Sequence, residues 1–232
     1  MEPGAPVLDL VAARPRHSPG AAPAAEINLR LMAGELVLVD ARHSARPTWL
    51  ADLCCGLLPL AAGSARFLGH DWSAVPPDYA AALRGQIGRV FSSGSWIGFW
   101  DVATNILLPQ LHHTRDDPNE LRERATALCC AFGLPGLPLV RPGDLAAGDL
   151  ARAACVRAFL GDPLLVLLEN PVQGRFTTLL LALLDALAAA RDRGAAAVWF
   201  TGSDLVWRDP SIPATTRLRL AERGLLPGSR AA

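Results

Sequence analysis

Two short segments carry the residue types and spacing from which chemistry could be built. The first runs Glu35-Leu-Val-Leu-Val-Asp40-Ala41-Arg42-His43-Ser44-Ala45-Arg46-Pro47-Thr48-Trp49-Leu50. It reads as an apolar strand, a loop and the start of a helix. That is the context of a GxxxxGK[ST] phosphate loop, whose glycines let backbone N–H groups wrap phosphate and whose lysine adds a point charge. This loop has neither glycine nor lysine, and all 22 basic residues of the chain are arginine. Pro47 suits a first helical position, where its missing N–H would be unbonded anyway, but it removes a donor that phosphate would use. The Thr48 hydroxyl remains, with the guanidinium groups of Arg42 and Arg46 facing either an anion or only solvent. The second segment, Leu164-Leu-Val-Leu-Leu-Glu169-Asn170-Pro171, ends an apolar strand in a polar pair. Asn170 cannot accept a proton at neutral pH, so the pair has no general base there.

The elements that must hold these segments alternate in kind. Val7 to Val11 and Glu26 to Met32 read as strands separated by a Pro/Gly/Ala-rich loop from Arg14 to Ala25. Apolar residues at helical spacing run from Thr48 to Leu58, and further strands are expected at Ser64 to Leu68 and Ile87 to Phe91. Helical patterns cover Pro118 to Phe132, Asp149 to Leu160 and Thr177 to Arg191. Pro163 to Leu168 and Ala196 to Thr201 are continuous apolar runs suited to buried parallel strands. Thr216 to Leu226 alternates like a hairpin turning near Glu222-Arg-Gly224. Together these predict an α/β fold with a mostly parallel sheet.

Composition narrows the partners. The 232 residues are 51% hydrophobic and carry 22 acidic against 22 basic side chains, so the broad basic surface that captures nucleic acid is not expected. Cys54, Cys55, Cys129, Cys130 and Cys155 lack the CxxC spacing of metal or redox motifs and read as buried thiols in a reducing cytosol. No leader pattern opens the chain and no stretch reaches about 20 apolar residues. A soluble protein that docks on a membrane partner is the expectation.

Several stretches match one family in order and spacing: Ile27-Asn-Leu-Arg-Leu31, Gly56-Leu-Leu-Pro59, Gly63-Ser-Ala-Arg-Phe-Leu-Gly69, Leu83-Arg84 with Ile87-Gly-Arg-Val-Phe91, and Arg157-Ala-Phe-Leu-Gly-Asp-Pro163. From Val7 to Leu226 the chain resembles the nucleotide-binding domain of ABC transporters. Asp78-Tyr-Ala-Ala-Ala-Leu-Arg84 and Asn105-Ile-Leu-Leu-Pro109 look most like the ATPases of lipid-trafficking systems of the Gram-negative envelope. The resemblance implies a single P-loop NTPase domain over 1–232, with an antiparallel N-terminal β subdomain and an inserted helical subdomain. The core would be 1–92 and 161–232, and the helical part about 93–160.

The same resemblance implies ATP and Mg²⁺ as cofactors and assigns the site by position. Ala41, Arg42, His43, Ser44, Ala45, Arg46, Pro47, Thr48 and Trp49 are the phosphate-loop equivalent, in which Thr48 keeps the hydroxyl that reaches Mg²⁺. Glu169 stands for the aspartate that supports the metal, Asn170 for the catalytic base, and Ser92 for a glutamine that senses metal and permease. Leu145, Ala146, Ala147, Gly148 and Asp149 replace the LSGGQ signature, where Asp149 is expected to cap its own helix and repel phosphate. Ser203 replaces the switch histidine and Phe176 the D-loop aspartate. His17 is the nearest aromatic to the adenine-stacking place, or simply a loop histidine.

Losing the lysine, the catalytic base, the signature serine, the switch histidine and the D-loop aspartate together predicts a subunit that cannot hydrolyse ATP and serves as scaffold or regulator. Its expected partners are a membrane permease and a second ATP-binding subunit, as homodimer or heterodimer, at the cytoplasmic face of the membrane. Two alternatives stand beside it: an atypical active ATPase powering transport, of lipid among other substrates, and a free-standing nucleotide or anion sensor. Trp96, Phe99 and Trp100, three aromatics in five residues, are either core or an exposed docking patch for the permease.

Overall fold

The computed structural model describes residues 4–16, 26–42, 48–92, 95–172 and 177–228. In chain order the elements are β1 (Leu8–Pro15), β2 (Ile27–Leu31), β3 (Leu36–Asp40), α1 (Thr48–Cys54), β4 (Leu60–Phe67), β5 (His70–Asp71), α2 (Pro77–Arg84), β6 (Ile87–Val90), α3 (Val102–His113), α4 (Pro118–Ala131), a 3-10 turn (Pro142–Asp144), α5 (Ala147–Phe159), β7 (Leu165–Glu169), α6 (Thr177–Asp192), β8 (Ala196–Thr201), α7 (Asp204–Arg208), β9 (Thr216–Ala221) and β10 (Gly224–Pro227).

Two sheets result. One is antiparallel, in the order β2-β1-β4-β5; the other has the order β10-β9-β3-β8-β7-β6, and its pairings are parallel from β9 through β6. The apolar runs work as the alternation of strand side chains requires. Leu36, Leu38, Val166, Leu168, Ala197 and Trp199 face one core cluster, which α3 to α6 cover. Val37, Val39, Leu165, Leu167, Val198 and Phe200 face the other, shared with α1 and the antiparallel sheet. Both faces of the central strands are therefore buried, and their polar ends gather along one edge.

Local chemistry moves several expected boundaries. β1 runs past Val11 into the segment expected as loop, because a bulge at Ala12, with φ +45°, shifts the pairing between Leu10 and Ala13. α1 stops at Cys54 and not at Leu58. Gly56 adopts φ +62° and a Cβ there would lie 2.3 Å from the Trp72 ring, so the backbone turns where only glycine fits. No helix is named from the sequence over α3; Asp101 caps it by accepting the Thr104 N–H at 2.6 Å, and the helix runs through Pro109. The C-terminal hairpin forms as its alternation predicts, with Ala221 opposite Gly224. Four cysteines are buried, but Cys130 is exposed, contrary to the expectation for all five.

Candidate nucleotide-site equivalent

β7 and β6 are neighbours in the parallel sheet, with β3 beyond β8, and α1 begins at the same edge, so Thr48, Ser92 and Glu169 meet. The Thr48 hydroxyl donates to Glu169 Oε2 at 2.7 Å and lies 3.4 Å from Ser92 Oγ. Glu169 is fully buried. Its other oxygen, Oε1, accepts from Arg89 Nε at 2.7 Å. Arg89 in turn donates to Asp52 Oδ1 at 2.7 Å and to the Thr48 carbonyl at 3.4 Å, and its guanidinium lies over the Phe91 ring at 4.4 Å. Burial disfavours the Arg89 charge, but the opposing charge of Glu169 and hydrogen bonds to Asp52 and Glu169 outweigh it and raise the pKa.

Mg²⁺ requires near-octahedral oxygen ligation and keeps several waters. Around Thr48 each oxygen of Glu169 already carries a short hydrogen bond, one of them from a cation. Unit charges about 4 Å apart repel by about 4 kcal/mol at an effective dielectric near 20, and a divalent ion doubles that. Among the described residues no group of three or more His, Cys, Asp or Glu side chains could hold a metal. With Arg89 in place, the donor set does not fit a hydrated divalent cation.

A second arginine is spent in the same way. Asp40, buried at the end of β3, accepts from Arg42 Nε at 2.9 Å, from its Nη2 at 2.7 Å and from its backbone N–H at 3.1 Å, while Arg219 Nε adds a bond at 3.4 Å. Arg42 also pairs with Asp204 at the start of α7. Burial alone would push the Asp40 carboxyl up, yet the bonds and charge of Arg42 hold it below the ordinary carboxylate range. Arg42 is exposed, yet its guanidinium is bonded to Asp40 and Asp204.

The other site positions have structural work. Ala41 donates its N–H to the Thr201 carbonyl at 2.8 Å, tying β3 to β8. Trp49 is buried in the second cluster, and its indole N–H has no partner among the described residues. Asn170 adopts φ +48°, a conformation asparagine tolerates, and its Oδ1 accepts from the Gly202 N–H at 2.8 Å. Ser203 caps α7, its hydroxyl accepting from Val206 N–H at 3.5 Å. His17, His43, Ser44, Ala45, Arg46, Pro47 and Phe176 lie outside the described residues.

The signature equivalent forms the start of α5. α5 begins at Ala147, its N-cap Ala146 has no side chain to offer, and Gly148 follows within the first turn. Leu145 packs on the first core cluster. Asp149 stands in the first turn of α5, where its charge suits the helix dipole, and its carboxylate accepts from Arg152 at 3.1 Å instead of making an N-cap hydrogen bond. Arg152 also reaches the Thr178 hydroxyl at 2.9 Å.

The aromatic run divides. Trp96 is partly buried against the first cluster, with the Arg157 guanidinium 4.4 Å from its ring and donating to the Ser95 carbonyl at 2.6 Å. Burial lowers the Arg157 pKa to about 10. Phe99 is 73% exposed and Trp100 37%, meeting edge to face at 5.6 Å. Val102 N–H bonds the Val140 carbonyl at 2.9 Å, which brings exposed Leu139 and Val140 to the same surface. Sequence reasoning missed those two, along with Arg89, Asp52 and Asp40. The available signal was a charge inside an otherwise apolar strand, since buried charges demand partners.

No protein-family model matches the chain. It is 28% identical over 151 residues to the intermembrane phospholipid transport ATP-binding protein MlaF of Haemophilus influenzae, a match covering 64% of this chain and 56% of that protein. It is 30% identical over 169 residues to the lipoprotein-releasing system ATP-binding protein LolD of Chromohalobacter salexigens, covering 70% of each. In structure it superposes on MJ0796, a dimeric bacterial ABC transporter cassette, with a TM-score of 0.82 over 97% of this chain and 99% of that one, at 18% identity. With the same strand–loop–helix frame and this extent of sequence identity, the chain belongs to the ATP-binding subunits of ABC transporters.

Proposed function

We propose that the chain is a non-hydrolysing ATP-binding-type subunit, a scaffold or regulator docked on a membrane permease or on a competent ATPase partner. One observation carries this reading: the buried carboxylate of Glu169 is bonded on one side to Arg89 and on the other to Thr48, and beside it Asn170 spends its side chain on the Gly202 backbone. Neither residue is disposed to hold a metal or to take a proton from water. Phe99, Trp100, Leu139 and Val140 offer an exposed apolar surface for the permease. The division into a core of 1–92 and 161–232 and a helical subdomain of about 93–160 belongs to this reading. So does a pairing with a like or unlike ATP-binding subunit at the cytoplasmic face of the membrane. Among the described residues no helix is long and apolar enough to cross a membrane. The names of MlaF and LolD support lipid or lipoprotein as the cargo class.

A second reading, an atypical active ATPase, is favoured by the contact of Thr48 with both Glu169 and Ser92. A turnover assay separates the two. The first reading expects phosphate release from the purified chain to match that of Asn170→Ala and Thr48→Ala, whereas Mg²⁺-dependent release lost in Thr48→Ala establishes the second.

A further inference from the structure

The surroundings of Arg89 have the chemistry of a cation site. Its guanidinium meets a carboxylate of Glu169, a carboxylate of Asp52 and the carbonyl of Thr48, with the Thr48 and Ser92 hydroxyls joined to the same cluster. Two carboxylates with hydroxyl and carbonyl oxygens are the hard donor set that otherwise suits a divalent ion. The fork of an arginine reaches two carboxylates at once from one side chain, which an ammonium cannot do with the same geometry. The arginine stands inside an apolar strand, Ile87–Val90, held from behind by the Phe91 ring. Its three partners come from α1 and β7, the elements whose relative placement forms the site.

We infer that the guanidinium of Arg89 is a tethered replacement for a divalent cation, a permanent occupant that joins Thr48, Asp52 and Glu169 without metal. The inference rests on the reading of the site as inactive and gives it a cause. Such a site is ordered in every state of the protein, so neither metal binding nor metal loss changes how α1, β6 and β7 are held together.

The test is the thermal unfolding midpoint of the intact chain and of Arg89→Met, each in EDTA and in rising MgCl₂, with Mg²⁺ alone as the probe. The intact chain should give one midpoint throughout. Arg89→Met should unfold at lower temperature in EDTA and recover part of the difference saturably with Mg²⁺, a recovery abolished by adding Glu169→Gln. Arg89→Gln, which keeps a donor but no charge, repeats the comparison should the methionine variant not fold. A saturable Mg²⁺ response of the intact chain, or charge-removed variants that gain none, overturns the inference. ATP turnover by the intact chain would instead sink the reading of the site as inactive, so the two failures are distinguishable.

Discussion

The strand ends around Glu169 and the loop carrying Phe99 and Trp100 treat their unsatisfied groups in opposite ways. At the strand ends, among the described residues, Arg89 is answered from within by Glu169 and Asp52, and Arg42 by Asp40 and Asp204. At the loop, apolar rings stand in solvent, while Trp96, three residues earlier, is drawn inward against Arg157. A region that satisfies itself has little left for a ligand, and a region that leaves area exposed has area to bury on a partner. On the proposed reading, the working surface of the subunit is this open loop and not the strand ends.

The sharpest way to break this contrast is to unbalance the closed region. Glu169→Ala leaves the Arg89 charge in the interior with only Asp52 to answer it, and breaking a buried pair by removing one partner costs about 3–5 kcal/mol. Chemical denaturation should show this as a lower midpoint at unchanged slope. A cost below about 1 kcal/mol, the value for exposed pairs, would mean that water reaches Arg89 and the region is open.

Acid should loosen the second pair next. Because the folded Asp40 carboxyl lies below its ordinary value of 3.8, its stabilising contribution is complete above that value and disappears as pH falls through the folded one. Asp40→Asn should lose about 1.5–3 kcal/mol at neutral pH, the range for a hydrogen bond to a charged group, and show a flatter decline of stability below pH 3.8. Parallel acid unfolding curves for the two proteins would remove Asp40 from the account.

The open region should respond in the other currency, binding without stability. Trp96→Ser should cost about 1–2 kcal/mol, within the ordinary range for loss of a partly buried side chain. Phe99→Ser with Trp100→Ser should stay within about 0.5 kcal/mol of the parent while weakening co-purification with a permease. If the double variant unfolds early and still holds the permease, these rings are core and the docking surface lies elsewhere.

How much of this was legible in the sequence depends on the range of the interaction. Ala196–Thr201, Pro118–Ala131 and the terminal hairpin follow from periodicity and turn chemistry that act within a few residues. The end of α1 was misjudged, because Gly56 is fixed by a tryptophan sixteen residues on, and no helix was named over α3, which is capped at Asp101 and runs through Pro109. At the site, the residue types at Thr48, Ser92 and Glu169 could be read from motif spacing. The pairing of Arg89 with partners 37 and 80 residues away, and of Arg42 with Asp204 across 162 residues, has no local pattern to announce it. Asp149 lies at its helix start as its charge suggests, but its pairing with Arg152 is not announced by that charge.

The central claim, that the former nucleotide site is closed by its own side chains, is met most directly by titrating ATP against the intact chain with and without Mg²⁺ in a calorimeter. With Arg42 and Arg89 both held by carboxylates and no lysine in the chain, the account predicts no heat that depends on Mg²⁺ and none that changes in Glu169→Gln. Saturable binding that requires Mg²⁺ and is lost in Thr48→Ala would contradict it.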